Sequence, residues 1–269
     1  GDGAGAAAAE ATAAAEAAEA AAFSVVPMRD MFPETGAFDG AVAVGNKVIC
    51  VPSTGDVIGT FDATSGALSL VDVYGTMPMG LGPKFAGGAA VDGKAVFAPA
   101  NSDVVGIFNV QRNTFSTVNI ASHVSGSDKF RGAAASGDYV IFAPYNAHVV
   151  GLFNVPYRQF RTIDISDKLS GPRKFAGAAA VGFRVIFAPY DADAVGVLDV
   201  ATRRFATVQL TAEFSAASRR FSGAAAVGGK VVFAPMDEAV VGVYDPQGRG
   251  LAAAPLPAAA GAGAGRFSG

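Results

Sequence analysis

KFAGAAAVGFRVIFAPYDADAVGVLDVATRRFATVQL, residues 174–210, breaks into four short apolar runs separated by small turns. The runs are FAGAAAV (175–181), VIFAPY (185–190), AVGVLDV (194–200) and FATVQL (205–210). Between them lie Gly182-Phe183, Asp191-Ala192-Asp193 and Ala201 to Arg204. Short runs of β-branched and aromatic residues bounded by Gly, Asp, Asn and Pro are the pattern of strands. An amphipathic helix would instead repeat every 3.6 residues over ten or more positions. One unit of this sequence therefore predicts four consecutive strands.

The unit recurs. A Phe-x-Gly motif falls at Phe38, Phe85, Phe130, Phe175, Phe221 and Phe267, at spacings of 47, 45, 45, 46 and 46 residues. A period near forty-five suits one four-stranded propeller blade, and helical solenoids are disfavoured. The first two strands are bridged by Gly45-Asn46, Asp92-Gly93, Gly137-Asp138, Gly182-Phe183 and Gly228-Gly229, and four of these five pairs are hairpin formers. The first run keeps Gly and Ala throughout, as GGAAV, GAAAS and GAAAV, which lets strands crowd toward a common axis. Pro99, Pro144, Pro189 and Pro235 end the second strand, where a missing N–H costs least.

These repeats resemble tandem-repeat β-propellers of the kelch, NHL and Tyr-Val-Thr-Asn kind, and most closely the Lys-Phe-x-Gly repeats of algal and other protist proteins. The resemblance covers residues 23–269. It implies an all-β propeller of four-stranded antiparallel blades and no particular activity, because such folds host scaffolds, binding modules and enzymes alike. The absence of Trp removes the Trp-Asp signature of WD repeats.

Residues 1–22, rich in Ala and Glu, read as a tail, helical or disordered, and Glu10, Glu16 and Glu19 argue against a membrane span. FSVVPM (23–28) aligns with the fourth strand FATVQL, and Arg266 to Gly269 repeats the opening of a unit. Two ring closures follow. In the favoured one the protein is a fragment of a ring of six or more blades. In the other, five blades close when FSVVPM replaces the weak strand GLAAAPL (250–256), which has Pro255 and no β-branched residue. The missing initiator Met fits a processed organellar or secreted protein, or an incomplete sequence, and leaves the compartment open.

Composition narrows the partners. A net charge of -3, from 20 basic and 23 acidic residues, offers no broad positive field to nucleic acid or anionic lipid. One cysteine, Cys50, excludes an internal disulfide. It stands where other units carry Phe97, Phe142, Phe187 and Phe233, so it reads as a buried core residue.

In an up-and-down blade, the loops joining strands two to three and four to one emerge at one end. The first class carries Asp56, Asn101, Asp103, Asn146, His148, Asp191, Asp193, Asp237 and Glu238; the second carries Lys84, Lys129, Arg173, Lys174, Arg219, Arg220 and Arg266. Because these charges recur once per unit, pairing between neighbouring blades is favoured over ligand binding. Departures from the repeat are sharper pointers: His148, Tyr145, Tyr190 and YGTMPMGLGP (74–83). The candidate binding set is accordingly Asp103, Asn146, His148, Asp191, Asp193, Asp237, Glu238, Tyr145, Tyr190, Lys129, Lys174 and Arg220.

No catalytic set is expected. His123 and His148 lie on different units and loop classes, which excludes a multi-His zinc site and leaves a Ser-His-Asp triad little to use. Gly88 to Ala95 mimics a phosphate-binding loop, but it ends in Ala and sits in a hairpin. The expectation is a non-catalytic protein-interaction module, a peripheral subunit of a larger assembly, needing no cofactor. The alternatives are a metal-assisted hydrolase or lyase using Asp103, Asn146, Asp191 and Asp237 as ligands, as in lactonase-like propellers, and a carbohydrate-binding propeller.

Overall fold

The computed structural model describes residues 36–76, 82–215 and 218–256, and every regular element among them is a strand. The first sheet contains β1 (Phe38–Val44), β2 (Lys47–Pro52), β3 (Val57–Asp62) and β4 (Leu68–Asp72). The second contains β5 (Phe85–Val91), β6 (Lys94–Pro99), β7 (Val104–Asn109) and β8 (Thr114–Asn119). β9 (Phe130–Ser136), β10 (Tyr139–Pro144), β11 (Val149–Asn154) and β12 (Gln159–Asp164) form the third. The fourth comprises β13 (Phe175–Val181), β14 (Arg184–Pro189), β15 (Ala194–Asp199) and β16 (Arg204–Gln209). The fifth comprises β17 (Phe221–Val227), β18 (Lys230–Pro235), β19 (Val240–Asp245) and β20 (Gly250–Pro255). Each sheet is an antiparallel meander whose strands pair in chain order.

The Gly-Ala strands are innermost, and they neighbour one another in the order β1, β5, β9, β13, β17. Their small residues permit backbone contact between sheets. A Cβ on Gly132, whose φ is +87°, would lie 2.7 Å from the Cα of Gly177, and one on Gly177 would lie 2.8 Å from the Cα of Gly223. Only glycine fits that approach and that left-handed backbone together. The same residues create a β-bulge. Phe130 pairs with Pro144 and Ala133 with Phe142, so three steps on β9 face two on β10, and β1, β5 and β13 share the irregularity.

In units two to five the Phe of the motif and the Phe of strand two close over a strand-three glycine, while the first unit has Cys50 in place of the second ring. A Cβ on Gly151 would lie 3.0 to 3.1 Å from the rings of Phe142, Phe160 and Phe130. Those rings are fully or almost fully buried, and the cores run from sheet to sheet: Ile141 and Val150 pack with Phe175, Val185 and Phe187 of the next unit. Burial of such side chains stabilises by about 1.5–3 kcal/mol each.

A belt of backbone hydrogen bonds ties the five sheets at one end. Lys84 N donates to Ser53 O, and Ala100 N donates to Lys84 O. The pattern continues through Lys129, Tyr145, Lys174, Tyr190 and Arg220 to Met236, with each bond 2.8–3.0 Å. The belt runs through loops joining strands two to three and four to one, so both loop classes do emerge together.

Two expectations need correction. β20 pairs with β19 along its whole length, from Val240 opposite Pro255 to Asp245 opposite Gly250. The fifth sheet is therefore completed by its own weak strand, not by FSVVPM, which lies outside the described residues with the tail and Arg266 to Gly269. β20 is an outermost strand, where Pro and small residues are tolerated because one edge needs no partner. Cys50 does occupy the strand-two Phe position, opposite Ala41, but it is half-buried. Among the described residues no sheet covers that face of β2; burial nevertheless pushes its thiol up from the ordinary value.

Candidate functional site

The recurring cations are consumed between sheets. Lys129 Nζ donates to Gly126 O at 3.0 Å and Asp103 Oδ1 at 3.2 Å, and its side chain is 1% exposed. Lys174 Nζ reaches Gly171 O at 2.8 Å and Asn146 O at 3.3 Å, and burial holds its pKa below the ordinary lysine value. Arg220 bonds Asp193 Oδ1 at 2.8 Å together with the carbonyls of Ser215, Asp191 and Ala192, and lies 3.7 Å from Glu238. A buried cation needs such partners, because its desolvation is otherwise uncompensated.

The acids answer in kind. Asn146 Oδ1 accepts from Arg173 N at 3.0 Å. Asp191 accepts from Arg219 N at 2.8 Å and pairs with Arg173 at 2.7 Å, while Asp237 pairs with Arg219 at 2.8 Å. Buried Glu238 accepts from the backbone and hydroxyl of Ser215. Lys129, Lys174 and Arg220 are thus held within the frame by internal partners. Asp103, Asn146, Asp191 and Asp237 each bond a Lys or Arg residue of the belt end, and the described residues contain no group of three acidic, His or Cys side chains poised for a metal. His148 is exposed on the β10–β11 loop.

Tyr145 and Tyr190 do come together. Their rings meet edge to face at 5.5 Å, and the guanidinium of Arg131 lies over both, 5.6 Å from the Tyr145 centroid and 6.0 Å from that of Tyr190. Burial, then the neighbouring Tyr190, push the Tyr145 hydroxyl up against the pull of Arg131. Arg131 was not among the sequence candidates. It is the middle residue of its Phe-x-Gly motif, where other units have Asp39, Ala86, Ala176 and Ser222. The bulge re-aims that position toward the belt end of the inner strands, as bulges do. Its one signal in the sequence was a long cation among mostly small residues.

Arg131 and Asp39 line two adjoining cavities at this end. The first, about 210 Å³, is completed by Pro83, Ala86, Ala100, Asp128, Phe130 and Tyr145. The second, about 400 Å³, adds Ser53 and Thr54. Burial raises the Asp39 carboxyl above its ordinary value, opposed by the charge on Arg131. The segment 74–83 reaches the wall through Pro83, and its residues 77–81 lie outside the described residues.

Radial four-stranded sheets with small inner strands define a β-propeller, and solved structures agree. Virginiamycin B lyase from Staphylococcus aureus superposes with a TM-score of 0.65 at 14% identity, over 84% of this chain and 72% of that one. The WD40 repeats of RRP9 give 0.64 at 14% identity, over 87% and 71%. A chain of the nidogen/laminin complex gives 0.57 at 11% identity, over 81% and 80%. Identities this low speak for the fold alone. No family model and no curated protein matches the sequence.

Proposed function

We propose that this propeller is a non-catalytic protein-interaction module, a peripheral subunit of a larger assembly, which receives its partner on the belt end. The observation that carries this reading is the Arg131, Tyr145 and Tyr190 cluster at the hub mouth. Among the described residues no other unit has its like, and it joins β9 to the loops that follow β10 and β14, which the belt ties to the neighbouring sheets. Aromatic residues and arginine are the side chains that most often anchor protein interfaces. Propellers that bind proteins, such as WD40 proteins, share the architecture. Nothing in the donor arrangement favours the metal-assisted or carbohydrate-binding alternatives.

Substituting Asp191 and Asp193 would be a poor test, because both hold sheets together. Arg131→Ala and Tyr145→Ala are suitable, compared with Tyr157→Ala and Phe183→Ala at the opposite end, where the side chains are 81% and 66% exposed. Partners retained from an extract of the source cells should be lost with the first pair and kept with the second. Retention by the first pair would sink the reading.

A further inference from the structure

The guanidinium of Arg131 is only partly exposed, yet no carboxylate among the described residues lies within ion-pairing distance of it. Every other such cation at the belt end, Lys84, Lys129 and Arg220, has an acid partner or, for Lys174, two carbonyls. The tyrosine faces stabilise the cation from one side, an interaction worth about 0.5–2 kcal/mol. The Tyr145 hydroxyl also accepts a side-chain hydrogen bond from Arg131. A guanidinium carries five N–H donors in a fork that suits bidentate carboxylates, and Arg131 lines both adjoining cavities, where a carboxylate can meet it.

We propose that the cavity beside Arg131 is a binding site for a carboxylate group. This deepens the interaction reading and rests on it for the source of the ligand: an acidic side chain or chain terminus presented by a protein partner, with a free carboxylic acid as the other source of the same chemistry. A monoanion fits better than phosphate, because Asp39 and Asp128 share the wall and repel a second negative charge. A cavity of about 210 Å³ accepts a carboxylate and a few carbons, not a folded element.

The test is titration of the full chain, followed by the Arg131 Nε–H resonance and near-ultraviolet tyrosine dichroism, with sodium acetate, succinate, phosphate, a hexaglutamate peptide and a hexaglutamine peptide amidated at its C-terminus. Saturable shifts with the carboxylates, weakened at least tenfold in Arg131→Gln and tightened in Asp39→Asn, are the expected result. Hexaglutamate binding far more tightly than acetate or succinate assigns the site to a protein partner; equal affinities assign it to a free acid. Phosphate or hexaglutamine binding as well as the carboxylates, no saturable shift, or Arg131→Gln titrating like the parent would each overturn the proposal. Thermal unfolding of Arg131→Gln at the parent temperature excludes a folding artefact. Carboxylate binding that survives while Tyr145→Ala still retains the extract partner would fault the interaction reading and spare this one.

Discussion

Thr60 is the residue at which the repeat is chemically out of place. Its side-chain hydroxyl is buried without a hydrogen-bond partner, at a position occupied elsewhere by Ile107, Leu152, Val197 and Val243. An unsatisfied buried hydroxyl costs about 1–3 kcal/mol, and valine has nearly the same shape. Thr60→Val should therefore stabilise the protein by about 1 kcal/mol, raising the thermal midpoint by a few degrees. A lowered midpoint would show that the hydroxyl is satisfied in solution. Residues of this kind explain what was readable beforehand. The strand-two Phe positions announced themselves by recurrence. Arg131 did not, because its meaning depends on a bulge that no run of letters displays. Cys50 looked like core because its four counterparts are, and its true exposure follows from what its sheet lacks on one side.

At the scale of the element, the turns between strands three and four carry a second repeated device. Asp62, Asp199 and Asp245 each accept backbone N–H bonds of 2.8–3.1 Å from residues two or three positions on, and Asn109 and Asn154 do the same with an amide oxygen. These bonds, led by those from Ser65, Thr202 and Gly248, hold the three carboxyls below the ordinary aspartate value. A carboxyl depressed by folding contributes stability above its unfolded pKa, about 3.9. That contribution is lost as pH falls through the lower folded value. Replacing all three with Asn should make the thermal midpoint less sensitive to pH below about 4. An unchanged slope would refute the assignment. The turns were legible from composition, and so were the strand limits they impose. β20 was misjudged because propensity was read in isolation, whereas its register comes from β19.

For the whole molecule, the order β1, β5, β9, β13, β17 does not return from β17 to β1 among the described residues. The consequence is visible in side chains. Ile49, Val96, Ile141 and Ile186 are completely buried against the following sheet, while the equivalent Val232 is half-buried and lines an apolar hollow with Ala225, Ala234 and Val241. Val96→Ala should cost about 2 kcal/mol through lost burial and a cavity, and Val232→Ala under about 1 kcal/mol. Urea midpoints would compare them directly. Equal losses would mean that the face of β18 is covered in solution. The propeller itself could be read from a forty-five-residue period, but the state of its closure could not, because every unit presents the same two faces whether or not a neighbour meets them.

The belt of main-chain bonds has one more implication. Peptide groups alone form it, and the buried cations Lys129, Lys174 and Arg220 brace neighbouring wedges beside it without using the middle position of the Phe-x-Gly motif. Asp39, Ala86, Arg131, Ala176 and Ser222 stand beside it as interchangeable fittings on a fixed collar. Natural selection can rewrite what the opening holds, one letter per wedge, while the frame is inherited unaltered.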